Sequence, residues 1–419
     1  MDNPFYSGTV AVIGLGYIGL PTAVVLASRG VRVIGVDVNP VTVERVARGE
    51  IPFFEPDLAT SLSGAVALGN LTTSMETPVA DAYIIAVPTP ITPNEEADMS
   101  HVFAAAAALA PQLRPGATVV LESTSPPGTT EELSRTLAAA RPDLTFPNDV
   151  NDSPDIFVAH CPERVLPGRI MVEMVENNRV IGGLTPECAE RAAELYRVFC
   201  RGEIQLSDAT SAEMAKLAEN SYRDVNIAFA NELSMICDKL GLDVWEIVKM
   251  ANHHPRVNIL QPGPGVGGHC IAVDPWFLVG AAPEQAVLIR TARMVNDGKA
   301  LHVVKQVRKS ASRFREPVVA CLGLSYKANV DDVRESPAVE IVAALAEQEP
   351  STTIMVSDPM LSRLPFALTS FSNLTLVKTQ DAIAAADIVV LLVDHNQFRT
   401  LPRKLLDGKV VLDTRGIWR

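Results

Sequence analysis

The sequence predicts an α/β protein with two Rossmann-like domains, each built on a parallel sheet and joined by a central helical region with a long helix. Three observations support this fold class. Short runs of Val, Ile, Leu and Ala alternate with helical patterns in the first third of the 419-residue chain, and the same alternation returns after residue 315. Between them, Ser211 to Lys239 has a helical apolar rhythm and few helix breakers. Strands that alternate with helices build parallel sheets covered on both faces.

The first third begins with a strand that runs directly into a glycine motif. The predicted strands here are Val10–Ile13, Val31–Val36, Ala82–Val87 and Thr118–Leu121, with a helix over Gly19–Arg29. They consist almost wholly of apolar residues, as expected of parallel strands that are buried on both faces.

The central region is predicted to hold two helices. The first covers Ser211–Lys239; Asp208 or Ser211 is placed to cap its start and Gly241 to end it. The second runs from Pro283 to about Arg308.

The last third returns to the α/β pattern. Its predicted elements are strands at Val318–Leu322, Thr353–Val356, Ile388–Val393 and Val410–Leu412, and a helix at Ala338–Ala346. The predicted domains are therefore 1–206 (Rossmann-like), 207–315 (central and helical) and 316–419 (Rossmann-like).

Composition excludes several classes of protein. A net charge of −13 argues against a nucleic-acid binder, which normally carries a basic face. No apolar stretch is long enough for a transmembrane helix, and Met1 to Thr9 lacks a signal-peptide pattern. The six cysteines are scattered without a CxxC pair, which predicts reduced thiols in the cytoplasm and no metal site.

A dinucleotide site is predicted at Gly14-Leu15-Gly16-Tyr17-Ile18-Gly19, between the first strand and the first helix. Gly14 permits the tight turn, Gly16 lets backbone approach a pyrophosphate, and Gly19 lets helix and strand pack closely. Asp37 ends the second strand, where a carboxylate bonds ribose hydroxyls and repels a 2′-phosphate, so NAD is favoured over NADP. The alternative is a glycine turn without a ligand.

Three threonines are further candidates for contact with the cofactor or with a water. Thr89 and Thr124 follow predicted strands at their carboxyl ends, where open α/β sheets bind ligands, and Thr130 follows shortly after. Taken singly, each is better explained as a turn or cap residue.

The segment from Gln261 to Cys270 is the most informative. Six of the eight residues from Pro262 to His269 are Gly or Pro, so the segment is a loop, and it ends in Cys270. A thiolate there can attack an aldehyde, and the resulting thiohemiacetal can lose a second hydride to become a thioester that water hydrolyses. The alternative is a buried structural cysteine in a tight loop.

Three polar residues share one face of the predicted long helix. Lys216 and Asn220 lie four residues apart and Arg223 follows three later. Such a face can stabilise an alkoxide and hold phosphate, or it is simply a solvated surface.

These motifs resemble those of the UDP-sugar 6-dehydrogenases, a family of four-electron NAD enzymes, over essentially the whole chain. The most specific blocks are Cys161–Gly168, Glu219–Glu232, Asn252–Asn258 and Gly263–Trp276. The resemblance implies that Cys270 is the nucleophile, Lys216 the acid/base and oxyanion lysine, and Asn220 its partner. It also implies that Asp274 and Thr124 organise a water, and that Glu163 assists thioester hydrolysis.

The resemblance implies that the domain at 1–206 binds NAD, that the domain at 207–315 holds the catalytic lysine and cysteine and forms the dimer, and that the domain at 316–419 binds UDP. It implies substrate contacts as well. Those expected to bind the sugar nucleotide are Arg164, Val165, Lys216, Asn220, Arg223, His254, Arg256, Gly267, Tyr326, Lys327 and Arg415, while Arg334 is expected to reach NAD. Arginines and a lysine suit a diphosphate because they form charge-assisted hydrogen bonds with it.

The implied substrate is UDP-N-acetyl-D-mannosamine, oxidised at C6 to the uronate for bacterial surface polysaccharide, by a homodimer or higher homo-oligomer that binds substrate between its domains. UDP-N-acetylglucosamine and UDP-glucose remain alternatives, because such sugars differ too little for sequence patterns to separate them. Two other classes remain open: a two-electron dehydrogenase in which Cys270 is a bystander, and a nucleotide sensor without catalysis.

Overall fold

The computed structural model describes residues 6–53, 55–147, 153–166, 168–268 and 270–419. The chain divides into two compact units, residues 1–218 and residues 219–419. The boundary between them falls inside one long helix, Ala209–Leu240, which contributes its first turns to the first unit and the remainder to the second.

The first unit contains, among its described residues, an eight-stranded sheet. Its strands are β1 (Thr9–Ile13), β2 (Arg32–Val36), β3 (Leu71–Ser74), β4 (Ala82–Ile85), β5 (Thr118–Leu121), β6 (Phe157–His160), β7 (Arg179–Gly183) and β8 (Ile204–Asp208). They lie in the order β3-β2-β1-β4-β5-β6-β7-β8. All neighbours are parallel except β6 and β7. The strand order reverses between β1 and β4, which is where open α/β sheets bind ligands at their carboxyl edge.

Helices cover both faces of this sheet. They are α1 (Gly19–Ser28), α2 (Pro40–Ala47), α3 (Leu58–Ala67), α4 (Ser100–Leu109), α5 (Thr129–Ala140), α6 (Ile170–Glu176), α7 (Pro186–Arg197) and the start of α8 (Ala209–Leu240). Alternate residues of β1 enter two separate cores: Val10 and Val12 pack in one, and Ala11 and Ile13 in the other. This alternation explains why the strand is apolar at each position from Val10 to Ile13.

The second unit joins a helical layer to a smaller sheet. After α8 come α9 (Val244–Ala251), α10 (Asp274–Ala281) and α11 (Val287–Ala311), and then β9 (Val318–Leu322), α12 (Pro337–Gln348), β10 (Thr353–Ser357), β11 (Leu374–Leu376), α13 (Thr379–Ala385), β12 (Ile388–Leu391), α14 (Asn396–Arg399) and β13 (Val410–Asp413). The described strands form a parallel sheet in the order β11-β10-β9-β12-β13.

The predicted fold class is confirmed, and the ends of α8 follow the predicted chemistry. Asp208 accepts the Ser211 N–H at 2.8 Å and the Ser211 hydroxyl at 2.7 Å, so Asp208 is the residue that caps the helix. Gly241 has φ +68° directly after the last helical residue, a conformation that favours glycine.

Two details differ from expectation. The helix predicted from Pro283 begins at Val287, because α10 ends at Ala281 and the residues between form the turn that connects the two helices. The first sheet is not wholly parallel, since β7 pairs antiparallel with β6. The three-domain division at residues 206 and 315 stays a prediction.

Candidate active site

The turn between β1 and α1 has the geometry of a phosphate-binding loop. Gly14 has φ +96°, and a Cβ there would lie 2.4 Å from the Ala86 carbonyl oxygen. A Cβ on Gly19 would lie 1.9 Å from the Gly14 carbonyl oxygen, so only glycine permits this close packing. A Cβ on Gly16 would have no described atom within 4 Å, and no described side chain caps the start of α1. This open helix N-terminus fits the pyrophosphate of a dinucleotide.

Asp37 lies beside the same turn. Its Oδ2 accepts the Leu15 N–H at 2.9 Å, and its Oδ1 accepts the Asn39 N–H at 2.8 Å. Because a carboxylate offers about four acceptor sites, the half-buried group still has capacity for ribose hydroxyls. Tyr17 stacks on Phe53, with ring centroids 4.0 Å apart and an interplanar angle of 22°.

The three candidate threonines lie in different surroundings. Thr89 and Thr124 are half-buried after β4 and β5. Thr130 is fully buried, and its N–H and hydroxyl both donate to Glu213 Oε1, at 2.7 and 2.5 Å. Glu213 Oε2 also accepts the Gly128 N–H at 2.6 Å, so this carboxylate of α8 caps α5. The sequence gives no sign of this pairing because the partners are far apart in the chain. A cofactor role for Thr130 stays a prediction.

Glu163, the glutamate expected to assist hydrolysis, lies in a buried ion pair. Its Oε2 is 2.9 Å from Arg179 Nη1, and its Oε1 accepts the Arg164 N–H at 2.7 Å. Both side chains of the ion pair are at most 5% exposed. Sequence reasoning missed Arg179, because an isolated arginine at the start of a strand shows no sign of its partner.

A second carboxyl, Glu122, is buried in the same cluster. Its Oε2 accepts the Thr22 hydroxyl at 3.0 Å and its Oε1 accepts the Tyr196 hydroxyl at 3.1 Å. Burial first, and then the negative charge of Glu163, raise the pKa of Glu122 to about 8, against the opposing effect of Arg179. At neutral pH, Glu122 therefore holds its proton.

The raised pKa of Glu122 predicts that stability depends on pH. Between the unfolded value of 4.5 and the folded value of about 8, the folded state holds an extra proton, so the free energy of unfolding falls as pH rises through that window. The Glu122→Gln variant cannot ionise and should lack this fall. The free energy of unfolding of the variant, relative to that of the unmodified protein, should therefore increase from pH 5 to pH 8. Urea denaturation monitored by circular dichroism measures this difference. If the free energies of unfolding of the two proteins changed with pH in parallel, the raised pKa would not belong to Glu122.

Cys270 is exposed at the turn that leads into α10. Its carbonyl oxygen accepts the N–H groups of Val273 at 3.1 Å and Asp274 at 2.8 Å, which fixes the cysteine one turn before the helix. The alternative of a buried structural cysteine is therefore wrong for Cys270. The preceding residue, His269, lies outside the described residues.

Asn220 and Asp274, two residues expected to be catalytic, contact each other directly. The Asn220 side-chain amide donates to Asp274 Oδ2 at 2.5 Å, and both side chains are buried. Lys216 lies one turn earlier on α8 and is also buried. The polar face of α8 at Lys216 and Asn220 is therefore not a solvated surface, whereas Arg223 on the same helix is exposed.

The glycines before Cys270 let the loop pack against the last sheet of the second unit. A Cβ on Gly267 would lie 2.3 Å from the Glu335 carbonyl oxygen, and one on Gly268 would lie 2.9 Å from the Tyr326 ring. A Cβ on Gly263 would lie 2.5 Å from Arg415 Nη1. A small cavity here is lined by Pro264, Gly265, Tyr326, Lys327, Asp394 and Arg415, among others, so three of the predicted UDP contacts share one site.

A buried polar network holds the start of this loop. Asn231 Oδ1 accepts the Gly263 N–H at 2.9 Å, and its amide donates to Asn296 Oδ1 at 2.9 Å. Asn296 in turn donates to Asp224 Oδ1 at 2.8 Å, and Arg293 pairs with the same oxygen at 2.6 Å. Sequence reasoning missed all four side chains, because they join positions on α8 and α11 that are far apart in the chain.

Removing Arg293 should destabilise the second unit strongly. Both Arg293 and Asp224 are at most 2% exposed, so Arg293→Met leaves a buried carboxylate without its cation, at a cost of about 3–5 kcal/mol. The three tryptophans lie in this unit, so their fluorescence in urea measures the loss.

The matched control is Arg308→Met, on the same helix, whose ion pair with Glu349 is partly exposed. It should cost about 1 kcal/mol or less. Equal losses of stability in the two variants would contradict the conclusion that the buried network stabilises the unit more than a partly exposed ion pair does.

Comparison with known proteins decides the family. The family model for UDP-glucose/GDP-mannose dehydrogenases matches the chain in three parts: the NAD-binding domain at 8–200, the central domain at 210–298 and the UDP-binding domain at 320–419. The chain belongs to the UDP-glucose/GDP-mannose dehydrogenase family. It is an NAD-dependent UDP-sugar dehydrogenase, and the resemblance of its motifs to this family is confirmed.

Relatives match nearly the full chain. The NDP-N-acetyl-D-galactosaminuronic acid dehydrogenase of Ralstonia nicotianae is 58% identical over 410 residues, covering 98% of this chain and 96% of its own. The UDP-N-acetyl-D-mannosamine dehydrogenase of Escherichia coli K12 is 52% identical over 419 residues, covering 98% and 99%. Among solved structures, the UDP-D-ManNAc dehydrogenase of Pyrococcus horikoshii gives a TM-score of 0.88 at 35% identity, covering 98% and 96%.

In this dehydrogenase the glycine turn is the predicted site of the NAD pyrophosphate, and Gly16 offers a selective test. A Cβ on Gly16 meets open space in the fold but occupies the room that fits the pyrophosphate, so Gly16→Ala should keep the stability and weaken NAD binding by about 10-fold or more. Gly64→Ala is the matched control, because Gly64 on α3 also faces open space but lies away from the turn. Titration calorimetry with NAD measures the affinity of both variants. An unchanged affinity in Gly16→Ala would contradict the prediction that the glycine turn binds the pyrophosphate of NAD.

The remaining predicted contacts of the dehydrogenase lie in several places. Arg164 and Val165 are half-buried after β6, while His254 and Arg256 are exposed in the loop after α9. Arg334 forms a bidentate ion pair with Asp332, at 2.6 and 2.9 Å. Their roles stay predictions.

The described residues include neither a metal-binding cluster nor a membrane-spanning helix. There, no group of three or more His, Cys, Asp or Glu side chains is arranged to hold a metal ion. Likewise, no helix of the described ranges combines the length and apolar character that crossing a bilayer requires.

Proposed function

We propose that this dehydrogenase oxidises UDP-N-acetyl-D-mannosamine at C6 to UDP-N-acetyl-D-mannosaminuronate, with Cys270 as covalent nucleophile. The observation that carries the proposal is the position of Cys270. It is exposed, it lies one turn before Asp274, and Asp274 is hydrogen bonded to Asn220. A nucleophile and two polar partners are therefore grouped at one helix N-terminus, as covalent catalysis requires.

The chemistry follows from these groups. The C6 alcohol loses a hydride and a proton to become an aldehyde, and the Cys270 thiolate adds to the aldehyde carbon. The thiohemiacetal loses a second hydride and proton to become a thioester, and water then breaks the carbon–sulfur bond and releases the carboxylate. NAD, when bound, accepts one hydride in each oxidation.

The other side chains transfer protons and stabilise negatively charged oxygen atoms. Lys216 takes the alcohol proton, and with Asn220 it stabilises the oxyanions of the tetrahedral intermediates. Asp274 and Thr124 organise a water, and Glu163 assists hydrolysis of the thioester. The buried ion pair with Arg179 supports this role, because it fixes the position of the Glu163 carboxylate.

UDP-N-acetyl-D-galactosamine is a second candidate substrate. It is favoured by the 58% identity to a protein named for N-acetyl-D-galactosaminuronic acid, against 52% to the mannosamine enzyme. We retain mannosamine first because proteins named as mannosamine dehydrogenases recur among both the relatives and the solved structures that match this chain. The blocks around Val165–Leu166 and His254–Arg256 favour it over UDP-N-acetylglucosamine and UDP-glucose. UDP-N-acetylglucosamine and UDP-glucose complete the set of alternatives.

Counting NADH released per UDP-sugar tests the proposal. The four UDP-sugars are offered to the purified enzyme at limiting amounts, and the product is identified by mass spectrometry. We expect two NADH and one uronate per UDP-N-acetyl-D-mannosamine. One NADH per sugar would establish a two-electron enzyme, a higher kcat/KM with galactosamine would establish the second candidate, and no NADH with any sugar would support a sensor.

We also infer a homodimer formed through α8 and α11. Among the large apolar side chains that each helix exposes, three recur at intervals of seven residues: Tyr222, Phe229 and Ile236 on α8, and Val287, Met294 and Leu301 on α11. Stripes with this spacing are typical of helices that pack against a partner helix. Sedimentation of the unmodified protein and of Phe229→Glu tests this inference, with the variant expected to be monomeric.

The proposed setting is the bacterial cytoplasm, where the uronate would serve synthesis of surface polysaccharide. The six cysteines, all within the described residues, form no disulfide, which suits a reducing compartment.

A further inference from the structure

Three neighbouring strands of the second sheet end at one buried polar pair. β9 lies between β10 and β12, and all three are parallel, so their carboxyl ends share an edge. Asp358 follows β10, and His395 precedes α14 in the connection after β12. Both side chains are 0% exposed, and His395 Nε2 lies 3.2 Å from Asp358 Oδ2.

Asp358 holds the first part of the loop that follows β9. Its Oδ2 accepts the N–H groups of Leu324 at 2.7 Å and Ser325 at 3.1 Å, as well as the Ser325 hydroxyl at 3.2 Å. Burial acts to raise the pKa of Asp358, but hydrogen bonds from His395 and from the N–H groups of Leu324 and Met360 bring it below its ordinary value. Asp358 is therefore an ionised acceptor that none of the proposed catalytic steps uses.

His395 holds the far end of the same loop. Its Nδ1 accepts the Asn329 N–H at 3.0 Å, so Nδ1 carries no proton. The proton must then lie on Nε2, which donates it to Asp358. Asn329 has φ +62°, and its side-chain oxygen accepts the Asn396 N–H at 3.0 Å, which ties the end of the loop to α14 as well.

The loop positions that Asp358 and His395 hold lie on either side of two residues that line the small cavity described above. Tyr326 and Lys327 lie between the anchored positions Ser325 and Asn329, and both line the cavity together with Arg415. His395 does not line this cavity, and because it is fully buried it cannot contact a ligand there without rearrangement of the fold. Any influence on the ligand must therefore pass through the loop.

We propose that His395 and Asp358 are positioning residues of the UDP site, which hold the loop from Leu324 to Asn329 in its binding conformation. The proposal rests on the proposed function in one respect, that Tyr326 and Lys327 contact the UDP group. A loop that is ordered before binding loses less conformational entropy when the ligand arrives, so the pair increases affinity without touching the ligand.

Two substitutions at His395 separate the two hydrogen bonds. Asparagine can place an oxygen near the position of Nδ1, so His395→Asn keeps the acceptor for the Asn329 N–H and loses the donor to Asp358. Glutamine can place a nitrogen near the position of Nε2, so His395→Gln keeps the donor and loses the acceptor. We expect the Kd for UDP, measured by calorimetry, to rise about 5- to 10-fold in both variants. The larger rise is expected in His395→Gln, because Asn329 is only two residues from Lys327.

The kinetic readout distinguishes positioning from general loss of structure. The KM for the UDP-sugar should rise in step with the UDP Kd while kcat stays within about twofold. NAD affinity should not change, because the glycine turn lies in the first unit. Since UDP binding is measured without turnover, failure of the proposed oxidation would leave this test intact.

Phe398→Leu is the matched control. Phe398 is fully buried and packs edge-on against the His395 ring, with centroids 5.5 Å apart, but it forms none of the side-chain hydrogen bonds to the loop. It should lower the urea midpoint of the second unit and leave the UDP Kd unchanged. The proposal is overturned if both His395 variants bind UDP within twofold of the unmodified protein, or if Phe398→Leu weakens UDP as much as they do.

A spectroscopic measurement on the unmodified protein covers the case in which the variants do not fold. With ¹⁵N-labelled histidine, His395 should show an unprotonated Nδ1 that accepts a hydrogen bond and a protonated Nε2. His254, whose Nδ1 accepts the Arg256 N–H at 3.3 Å, is told apart because it is exposed and its ring proton exchanges quickly with water. The signals of His395 should respond to added UDP, because the ligand contacts the loop that the ring holds. A protonated Nδ1 on His395, or signals of this ring that UDP leaves unchanged, would overturn the proposal.

Discussion

Replacing Cys270 by serine is expected to stop uronate formation while NAD binding stays intact. A serine hydroxyl is a weaker nucleophile than a thiolate, and an ester releases its alcohol less readily than a thioester releases its thiol. We therefore expect NADH release to fall by about 10³-fold or more. Stopped assays with UDP-N-acetyl-D-mannosamine measure the rate, and calorimetry measures NAD affinity, which depends on the separate glycine turn of the first unit.

Cys200→Ser is the matched control for the loss of a thiol. Cys200 is half-buried in the first unit, where its sulfur lies 3.5 Å from the Asn177 carbonyl oxygen, and a serine hydroxyl can replace that contact. This variant should keep full activity. Mass spectrometry of a stalled reaction should find the UDP-sugar joined through its C6 carbonyl to Cys270 of the unmodified enzyme, as a thioester. Unchanged turnover in Cys270→Ser would remove this residue from the mechanism.

Replacing Lys216 by methionine should have the second-largest effect on catalysis. Methionine keeps the length and apolar stem of the side chain but removes the amine that takes the alcohol proton and stabilises the oxyanions. Loss of general acid–base catalysis typically costs about 10²- to 10⁴-fold, so kcat should fall by that factor. Initial rates at saturating NAD and UDP-sugar measure it.

Lys239→Met, on the same helix, controls for the change of residue type. Lys239 is exposed in the last turn of α8, so its loss removes only a weak interaction with the helix dipole. Its kcat should equal that of the unmodified enzyme. If Lys216→Met instead raised only KM, Lys216 would be a binding residue without a role in proton transfer.

The chemical parts of the site could be predicted from residue order because each is local. Gly14, Gly16 and Gly19 act through backbone geometry within one turn, and their spacing alone predicts a strand, a turn and a helix. The glycine-rich approach to Cys270 is likewise a property of adjacent residues. Apolar periodicity was sufficient for the α/β class and for the position of α8, because burial on two faces or on one stripe leaves a repeating pattern.

The supporting interactions could not be predicted in this way. Glu213 caps α5, Arg179 pairs with Glu163, and Asn231 holds Gly263, each across more than 15 residues of sequence. Such pairs form wherever folding brings a donor beside a buried acceptor, and nothing in the local pattern marks them. Residue order therefore specifies which groups can react. The packing of distant segments specifies which charges are paired, which carboxyl keeps its proton and which loops are held in place, because buried polar groups must find partners wherever the chain places them.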